Sequence, residues 1–175
     1  MNKQELYDLG MSEYDKKNYK IAAENLRKAV EAGHPNAFGI LYTLYTTPNE
    51  FPDTYLEPHK LDGELKCFAK KGDVVAALYL ALQSGVEKEI DDAVKRIEDA
   101  SNKIHDNTFQ LVGPLYMQII QAYSGLHAQT NDDVVRYKSK IKNCINQLKS
   151  YGNMIKNEQL LLAIPVIAEQ FDIQL

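Results

Sequence analysis

The sequence predicts an all-α fold, arranged as a short α-α solenoid of stacked helical hairpins followed by a helical bundle or cap. Three observations predict it. Apolar residues recur at the spacing of amphipathic helices, and no segment shows the alternation of a half-buried strand. Small residues recur within the first two helical segments, as they do where paired helices approach closely. A glycine-centred segment at Gly33 also recurs 39 positions later at Gly72, which indicates a repeated structural unit.

The first two helices make the clearest hairpin, at the start of the best repeat, which covers residues 3–46. Apolar periodicity predicts a helix over about 3–17 and a second over about 19–32. Their inward residues are expected to be Leu6, Leu9, Gly10 and Tyr14, then Ile21, Ala22, Leu26, Ala29 and Val30.

A third helix and a proline-rich loop follow. Gly33 is a natural helix end, and Pro35 suits the first turn of a helix over about 35–46. Residues 47–58 are expected to form an extended surface loop, since prolines disfavour helix at and before their own positions. The three prolines of this loop are Pro48, Pro52 and Pro58.

Residues 59–102 are expected to hold degenerate repeats. A helix over about 60–71 ends at Gly72, and Asp73 caps a segment that is apolar on every face and is therefore predicted to be buried. The last helix of this segment is predicted over about 87–102. Its inward residues are expected to be Ile90, Ala93, Val94 and Ile97.

Residues 103–175 are predicted to form three C-terminal helices, over about 109–124, 131–151 and 154–170. Gly113-Pro114 makes the start of the first irregular, and Pro165 kinks or breaks the last. Thr130 and Asp133 are in capping-box relation at the start of the second. The inward stripe of that helix is expected to be Val134, Tyr137, Ile141, Ile145 and Leu148.

Composition places the chain among ordinary globular proteins. Its 175 residues suit a single all-helical domain over 1–175, with 45% apolar and 25% charged residues. A formal charge of −4 gives no reason to expect nucleic acid or an anionic membrane as a partner. No signal-type segment or run of about 20 apolar residues is present, so we expect a cytoplasmic protein. Cys67 and Cys144 are expected to be buried, reduced thiols on apolar helix faces.

The residues of the first repeat carry a family resemblance. Leu9-Gly10, Tyr19 and Ala22, with Leu26 and Ala29 after them, follow the tetratricopeptide pattern. The chain resembles the tetratricopeptide superfamily, and most closely its Sel-one-like branch, whose alanine-alanine-x-x-glycine-asparagine-x-x-alanine element is similar to residues 29–37. The resemblance is good over 3–46, weak over 59–82 and absent beyond 102. That branch tolerates insertions between paired helices, which would accommodate the loop.

The resemblance implies a protein-interaction scaffold that binds another protein or peptide in a groove lined by the first helices of its repeats. Carried onto the first repeat, the groove positions would be Gln4, Tyr7, Met11, Tyr14 and Asp15. Alternatively, Tyr7 and Tyr14 pack against the third helix. Small acidic members of such families include bacterial immunity proteins that mask a toxin, and length and charge are compatible with that role.

No motif indicates catalysis, and no catalytic, metal or cofactor residue is predicted. Adjacent carboxylates on a helix point about 100° apart, so Asp91-Asp92 and Asp132-Asp133 make no local dyad. The four histidines lack helical metal-ligand companions, and His34 is expected to satisfy backbone groups at a helix boundary. An enzyme remains the alternative, with a site assembled from distant helices around His59, His105 or His127 and a carboxylate.

An RNA-binding surface is a further alternative, and it would use the basic residues of the long C-terminal helix. On a helical wheel these residues border the apolar stripe on both sides, which is typical of a solvent boundary. They are Arg136, Lys138, Lys140, Lys142 and Lys149.

Overall fold

The computed structural model describes residues 1–103 and 112–174. Within these residues the chain forms nine α-helices and no β-strand, which confirms the all-α prediction. His105 and residues 109–111 of the predicted seventh helix lie outside the described residues. The helices are α1 (Lys3–Asp15), α2 (Tyr19–Glu31), α3 (Ala37–Thr46), α4 (Pro58–Lys70), α5 (Val74–Ser84), α6 (Glu87–Lys103), α7 (Val112–Gly125), α8 (Asn131–Met154) and α9 (Glu158–Gln170).

Side-chain caps start several of these helices. At α8 the Thr130 hydroxyl accepts from the Asp133 N–H at 3.1 Å, and the Asp133 carboxylate accepts from the Thr130 N–H at 3.0 Å. Asp73 caps α5 by accepting from the backbone N–H three residues on, at 2.8 Å. Both caps confirm the sequence prediction. A further capping box, between Asn2 and Glu5, begins α1.

A glycine-centred turn recurs at the ends of α2 and α4. Gly33 has a φ of +78°, and the N–H of the next residue donates to the carbonyl of Ala29 at 2.9 Å. Gly72 has a φ of +95°, and the N–H of the next residue donates to the carbonyl of Phe68 at 3.0 Å. This is the Schellman turn, in which glycine takes the left-handed conformation without steric cost. The 39-residue recurrence is therefore a recurrence of backbone geometry.

Two other helix pairs use the same turn without glycine. Between α1 and α2, Lys17 has a φ of +64°, and the following N–H donates to the carbonyl of Glu13 at 2.9 Å. Between α8 and α9, Lys156 has a φ of +52°, and the following N–H donates to the carbonyl of Gly152 at 3.0 Å. In the sequence, glycine marks this turn only at Gly33 and Gly72, whereas the structure has the same turn at Lys17 and Lys156 too.

Helix packing follows the order of the chain. Extensive contacts join α1 with α2, α2 with α3, α4 with α5, α5 with α6, α7 with α8 and α8 with α9. Smaller contacts join α3 with α5 and α6 with α7. The helices bury a continuous apolar cluster, in which Ala22, Leu26 and Ala29 are fully buried.

Gly10 marks the closest approach of α1 to α2. A Cβ built at Gly10 would lie 2.8 Å from Cγ of Leu26 and 3.2 Å from its backbone nitrogen. Gly10 is buried, so a larger residue would force the two helices apart. The predicted role of the small residues is confirmed at this position.

Four residues predicted to lie inward or buried are exposed instead. Leu9 is 37% exposed, Ile21 49% and Val134 43%. Cys67 is exposed too, whereas Cys144 is buried as predicted. Leu9, Ile21 and Cys67 each precede a buried residue by one position, which places them about 100° around the helix from it. Val134 lies in the first turn of α8, before the buried residues of that helix begin at Ile141. Helical spacing indicates the direction of a buried face but not its extent.

Residues 47–57 form a mostly exposed loop without helix, as predicted, but the loop is folded instead of extended. They form consecutive turns, and Phe51 is buried at 3% exposure. The hydroxyl of Thr54 donates to the carbonyl of Leu44 at 2.8 Å, which ties the loop to the last turn of α3. An aromatic side chain and a helix end thus hold the loop against the core.

Three finer predictions need correction. α3 begins at Ala37, so Pro35 lies before the helix instead of in its first turn. α9 continues through Pro165 without a break. α7 is helical across Gly113 and the following proline. α5 agrees with the prediction of a buried helix, since each of residues 74–82 is buried or half-buried.

Candidate binding face on the first helix

The five predicted groove residues share one face of α1, because their separations of three, four and seven residues correspond to whole turns. We call this set the tyrosine face: Gln4, Tyr7, Met11, Tyr14 and Asp15. Gln4 and Asp15 are exposed, and the three larger side chains between them are half-buried. The extensive helix contact of α1 is with α2, so the tyrosine face is left partly open to solvent.

Tyr7 is held by a buried histidine from the α2–α3 turn. Its ring stacks on His34 with the centroids 4.0 Å apart and the planes 12° apart. His34 is 3% exposed. Its Nδ1 accepts from the backbone N–H of Asn36 at 3.3 Å, so its Nε2 carries the proton and donates to the Gln4 side-chain oxygen, also at 3.3 Å.

Burial lowers the pKa of His34 below its ordinary value, and Lys3 lowers it further. The imidazole is therefore neutral at physiological pH, which agrees with the single-proton hydrogen-bond pattern. The histidine satisfies a backbone N–H at a helix boundary, as the sequence predicts. It also orders the amino-terminal half of the tyrosine face, a role that no local pattern indicated.

Tyr14 is held by the proline-rich loop. Its ring lies 5.9 Å from that of Phe51 and 5.5 Å, edge to face, from that of Tyr19. Phe51 and Tyr19 also meet edge to face at 4.6 Å. The aromatic partners of Tyr7 and Tyr14 thus come from α2, from the α2–α3 turn and from the loop after α3. The loop contributes a buried ring that fixes the carboxyl-terminal half of the face.

Carboxylates give the face a negative field. Burial raises the pKa of Tyr7, and Asp8 raises it further. Burial likewise raises the pKa of Tyr14, with smaller contributions from Tyr19, Glu50 and Asp15. Both hydroxyls therefore stay protonated across the physiological range. The sequence analysis did not include Asp8 or Glu50 among the groove residues. Asp8 could have been found from its position seven residues before Asp15, whereas Glu50 comes close to Tyr14 only in the folded chain.

Aromatic contacts continue along the alternate helices. Tyr42 of α3 stacks on Tyr79 of α5 with the centroids 3.9 Å apart and the planes 8° apart. Burial raises the pKa of Tyr79, and a hydrogen bond from the Gln118 side chain of α7 partly offsets that effect. Side chains of α3, α5 and α7 are thus in direct contact.

The basic residues of α8 pair with carboxylates. Arg136 holds Glu87 through two hydrogen bonds, of 2.8 and 3.0 Å, and Lys140 contacts Glu87 at 2.7 Å. These hydrogen bonds lower the pKa of Glu87 to about 2. Lys138 pairs with Asp172 at 2.7 Å. Three of the five cations that suggested RNA binding are therefore neutralised locally.

Two of the three alternative catalytic histidines, His59 and His127, lie in the part of the chain that is described. His59 and His127 are exposed, and neither takes part in an ion pair among the described residues. Residues 1–103 and 112–174 contain no group of three histidine, cysteine or acidic side chains that could hold a metal ion. Within the same ranges, no helix has the length and apolar character needed to cross a bilayer.

Comparison of the chain with protein-family models, with curated proteins and with solved structures finds no match. The geometry of the tyrosine face and its surroundings is therefore the basis for the functional argument.

Proposed function

We propose that the protein is a non-catalytic scaffold that binds a partner protein or peptide through the tyrosine face of α1. One observation carries the proposal. Two tyrosines two turns apart are each braced from behind by a buried ring, His34 for Tyr7 and Phe51 for Tyr14, while their outer surfaces stay accessible.

Bracing matters because a side chain that is already ordered loses little conformational entropy when a partner binds, about 0.5–1.5 kcal/mol less per side chain than a mobile one. Tyrosine and methionine also supply large contact areas and are enriched in protein interfaces. Met11 lies between the two tyrosines on the same face. The arrangement is that of a preformed contact surface.

We also infer a helical-repeat architecture similar to that of the tetratricopeptide and Sel-one-like families. The turns at Gly33 and Gly72, and the contact of α3 with α5 through Tyr42 and Tyr79, support it. In a solenoid, alternate helices are neighbours along one surface. On this inference the tyrosine face is the first part of a surface that continues over α3, α5 and α7.

Affinity purification from lysate of the source organism, followed by mass spectrometry, tests the proposed function. The bait should carry its tag at the carboxyl terminus, away from α1. We expect Tyr7→Ala and Met11→Lys to lose partners that the wild type retains. Tyr55→Ala is the matched control, because Tyr55 is an exposed tyrosine of the loop outside the tyrosine face.

Met11→Lys leaves the rings of Tyr7 and Tyr14 and their aromatic partners in place and puts a charge at the centre of the face, so it tests the face without removing a ring. Circular dichroism melts of each variant establish that it is folded. Equal recovery of partners by wild type and by folded Tyr7→Ala and Met11→Lys would reject the assignment of the face.

A further inference from the structure

Together with the neighbouring Asp8, the tyrosine face contains the same Tyr–Asp pair twice. Gln4, Tyr7 and Asp8 are followed seven residues later by Met11, Tyr14 and Asp15. Seven residues are nearly two helical turns, so each Tyr–Asp pair repeats on the same side of α1 about 10 Å further along. A ligand that recognises one pair has a second, equivalent pair within reach.

The carboxylates of this pattern lack cationic partners within the described chain. Asp8 and Asp15 are exposed and form no ion pair with any described residue, nor does Glu50 beside Tyr14. By contrast, Glu13 on another side of α1 pairs with Lys16 at 2.7 Å. Unpaired charges at a fixed spacing favour a ligand of the opposite charge.

Asp8 is oriented by its neighbour. The Gln4 side-chain amide donates to its carboxylate at 2.8 Å, and the oxygen of the same Gln4 amide accepts from the buried His34. A chain of hydrogen bonds thus runs from the core to the carboxylate beside Tyr7. This order reduces the entropy lost when the carboxylate engages a cation.

We propose that the tyrosine face binds an extended segment of a partner protein that carries two arginine or lysine side chains three residues apart. In the extended polyproline II conformation, side chains three residues apart lie on the same side of the chain and about 9 Å apart, which is close to the separation of the two Tyr–Asp pairs, about 10 Å. Each cation would lie over a tyrosine ring and against its carboxylate, which combines cation–π and ionic attraction. Glu50 adds a third carboxylate at the Tyr14 end. This inference rests on the proposed function and names the class of its partner.

Selection from a random dodecapeptide phage library against the full chain, immobilised by a carboxyl-terminal tag, tests the partner class. We expect enriched peptides to carry two basic residues three apart. The strongest is then synthesised with a fluorescent label, and its binding is measured by anisotropy. We expect Asp8→Asn combined with Asp15→Asn to weaken binding at least tenfold, and binding to weaken further as salt rises, because salt screens exposed charges.

Asp92→Asn combined with Asp99→Asn is the matched control. These carboxylates are also exposed and seven residues apart, on α6, and the double variant changes net charge by the same amount. We expect it to change affinity less than twofold. A synthetic peptide with its two basic residues adjacent, in an otherwise identical sequence, should bind at least fivefold more weakly than the three-apart peptide.

The outcomes separate this inference from the proposed function. Peptides that bind through Tyr7 and Met11 but carry no basic pair would overturn the inference and leave the function standing. No enrichment above an unrelated bait would overturn both. Sedimentation that reveals self-association, lost in the Asp8→Asn and Asp15→Asn double variant, would make the occupant a second copy of this chain and overturn the assignment to another protein.

Discussion

Substitution of Gly10 by alanine tests the closest helix contact in the molecule. The added Cβ would lie 2.8 Å from Cγ and 3.0 Å from Cδ2 of Leu26. Carbon atoms prefer about 3.5–4.0 Å, so the overlap approaches 1 Å. Leu26 is fully buried and its backbone nitrogen is also close, so neither the side chain nor α2 has open space to move into.

Overpacking of this kind costs about 1–3 kcal/mol. Replacing a helical glycine by alanine returns about 0.5–1 kcal/mol through backbone entropy. Gly63 provides the control, since it lies within α4 and its added Cβ would meet nothing within 4 Å. We therefore expect Gly63→Ala to raise the free energy of unfolding by about 0.5–1 kcal/mol and Gly10→Ala to lower it, by about 1 kcal/mol at mid-range.

Urea unfolding followed by circular dichroism measures both values, and a double-mutant cycle identifies the contact. In a Leu26→Ala background the two side-chain contacts are removed and only the 3.2 Å contact with the backbone nitrogen remains. Gly10→Ala should therefore cost much less there, with a coupling energy of about 1–3 kcal/mol. A Gly10→Ala variant as stable as Gly63→Ala, or an effect of the same size without Leu26, would refute the reasoning.

Three further predictions concern single positions. Burial raises the pKa of Asp73 from 3.8 to about 6, so the native state loses stability as pH rises from about 4 to 6. Asp73→Asn keeps an N-cap residue, so this variant should be more stable than the wild type at pH 7.5, by up to about 3 kcal/mol. Thermal melts between pH 4 and pH 7.5 should show that difference in stability close by pH 4. Iodoacetamide should label Cys67 in the native protein and Cys144 only after unfolding, by mass spectrometry, because Cys144 is buried and burial raises its thiol pKa to about 12. Lys17→Gly should raise the free energy of unfolding by about 0.5–1 kcal/mol, because Lys17 has a φ of +64° and the left-handed conformation costs an L-residue about 1–2 kcal/mol. The greater chain entropy of glycine in the unfolded state offsets part of that gain. An unchanged urea midpoint would contradict this prediction.

Local rules explain what the sequence predicted correctly. Helical periodicity located the helices within a few residues, and capping chemistry located the starts of α5 and α8 at Asp73 and Thr130. These features depend on residues three or four positions apart. The burial of Gly10, Ala22 and Ala29 follows from the same spacing, because small residues at a helix face allow close approach.

Contacts between distant segments explain what the sequence could not predict. Phe51 is buried because it meets Tyr14 and Tyr19, more than thirty residues earlier, and proline spacing indicates only that its segment is not helical. His34 likewise acts on Tyr7 across 27 positions. The candidate face could be located from α1 alone, whereas the groups that brace it come from elsewhere in the chain.

The interhelical turns at Lys17 and Lys156 show that a shared backbone turn can be faint in sequence. Lys17 and Lys156 hold the left-handed conformation that Gly33 and Gly72 hold freely, so the backbone recurs where the residue type does not. The hydrogen bonds of the turn and the packing of the paired helices must offset the added cost of about 1–2 kcal/mol per lysine. A search by residue type therefore detects the turn only where that cost has been removed. A search by φ and hydrogen bond detects these four turns and a fifth at Asp172, which has a φ of +53° and is followed by an N–H that donates to the carbonyl of Ala168 at 2.9 Å. By the same reasoning, turns of this kind in other helical chains should be sought through turn geometry first and through glycine spacing second.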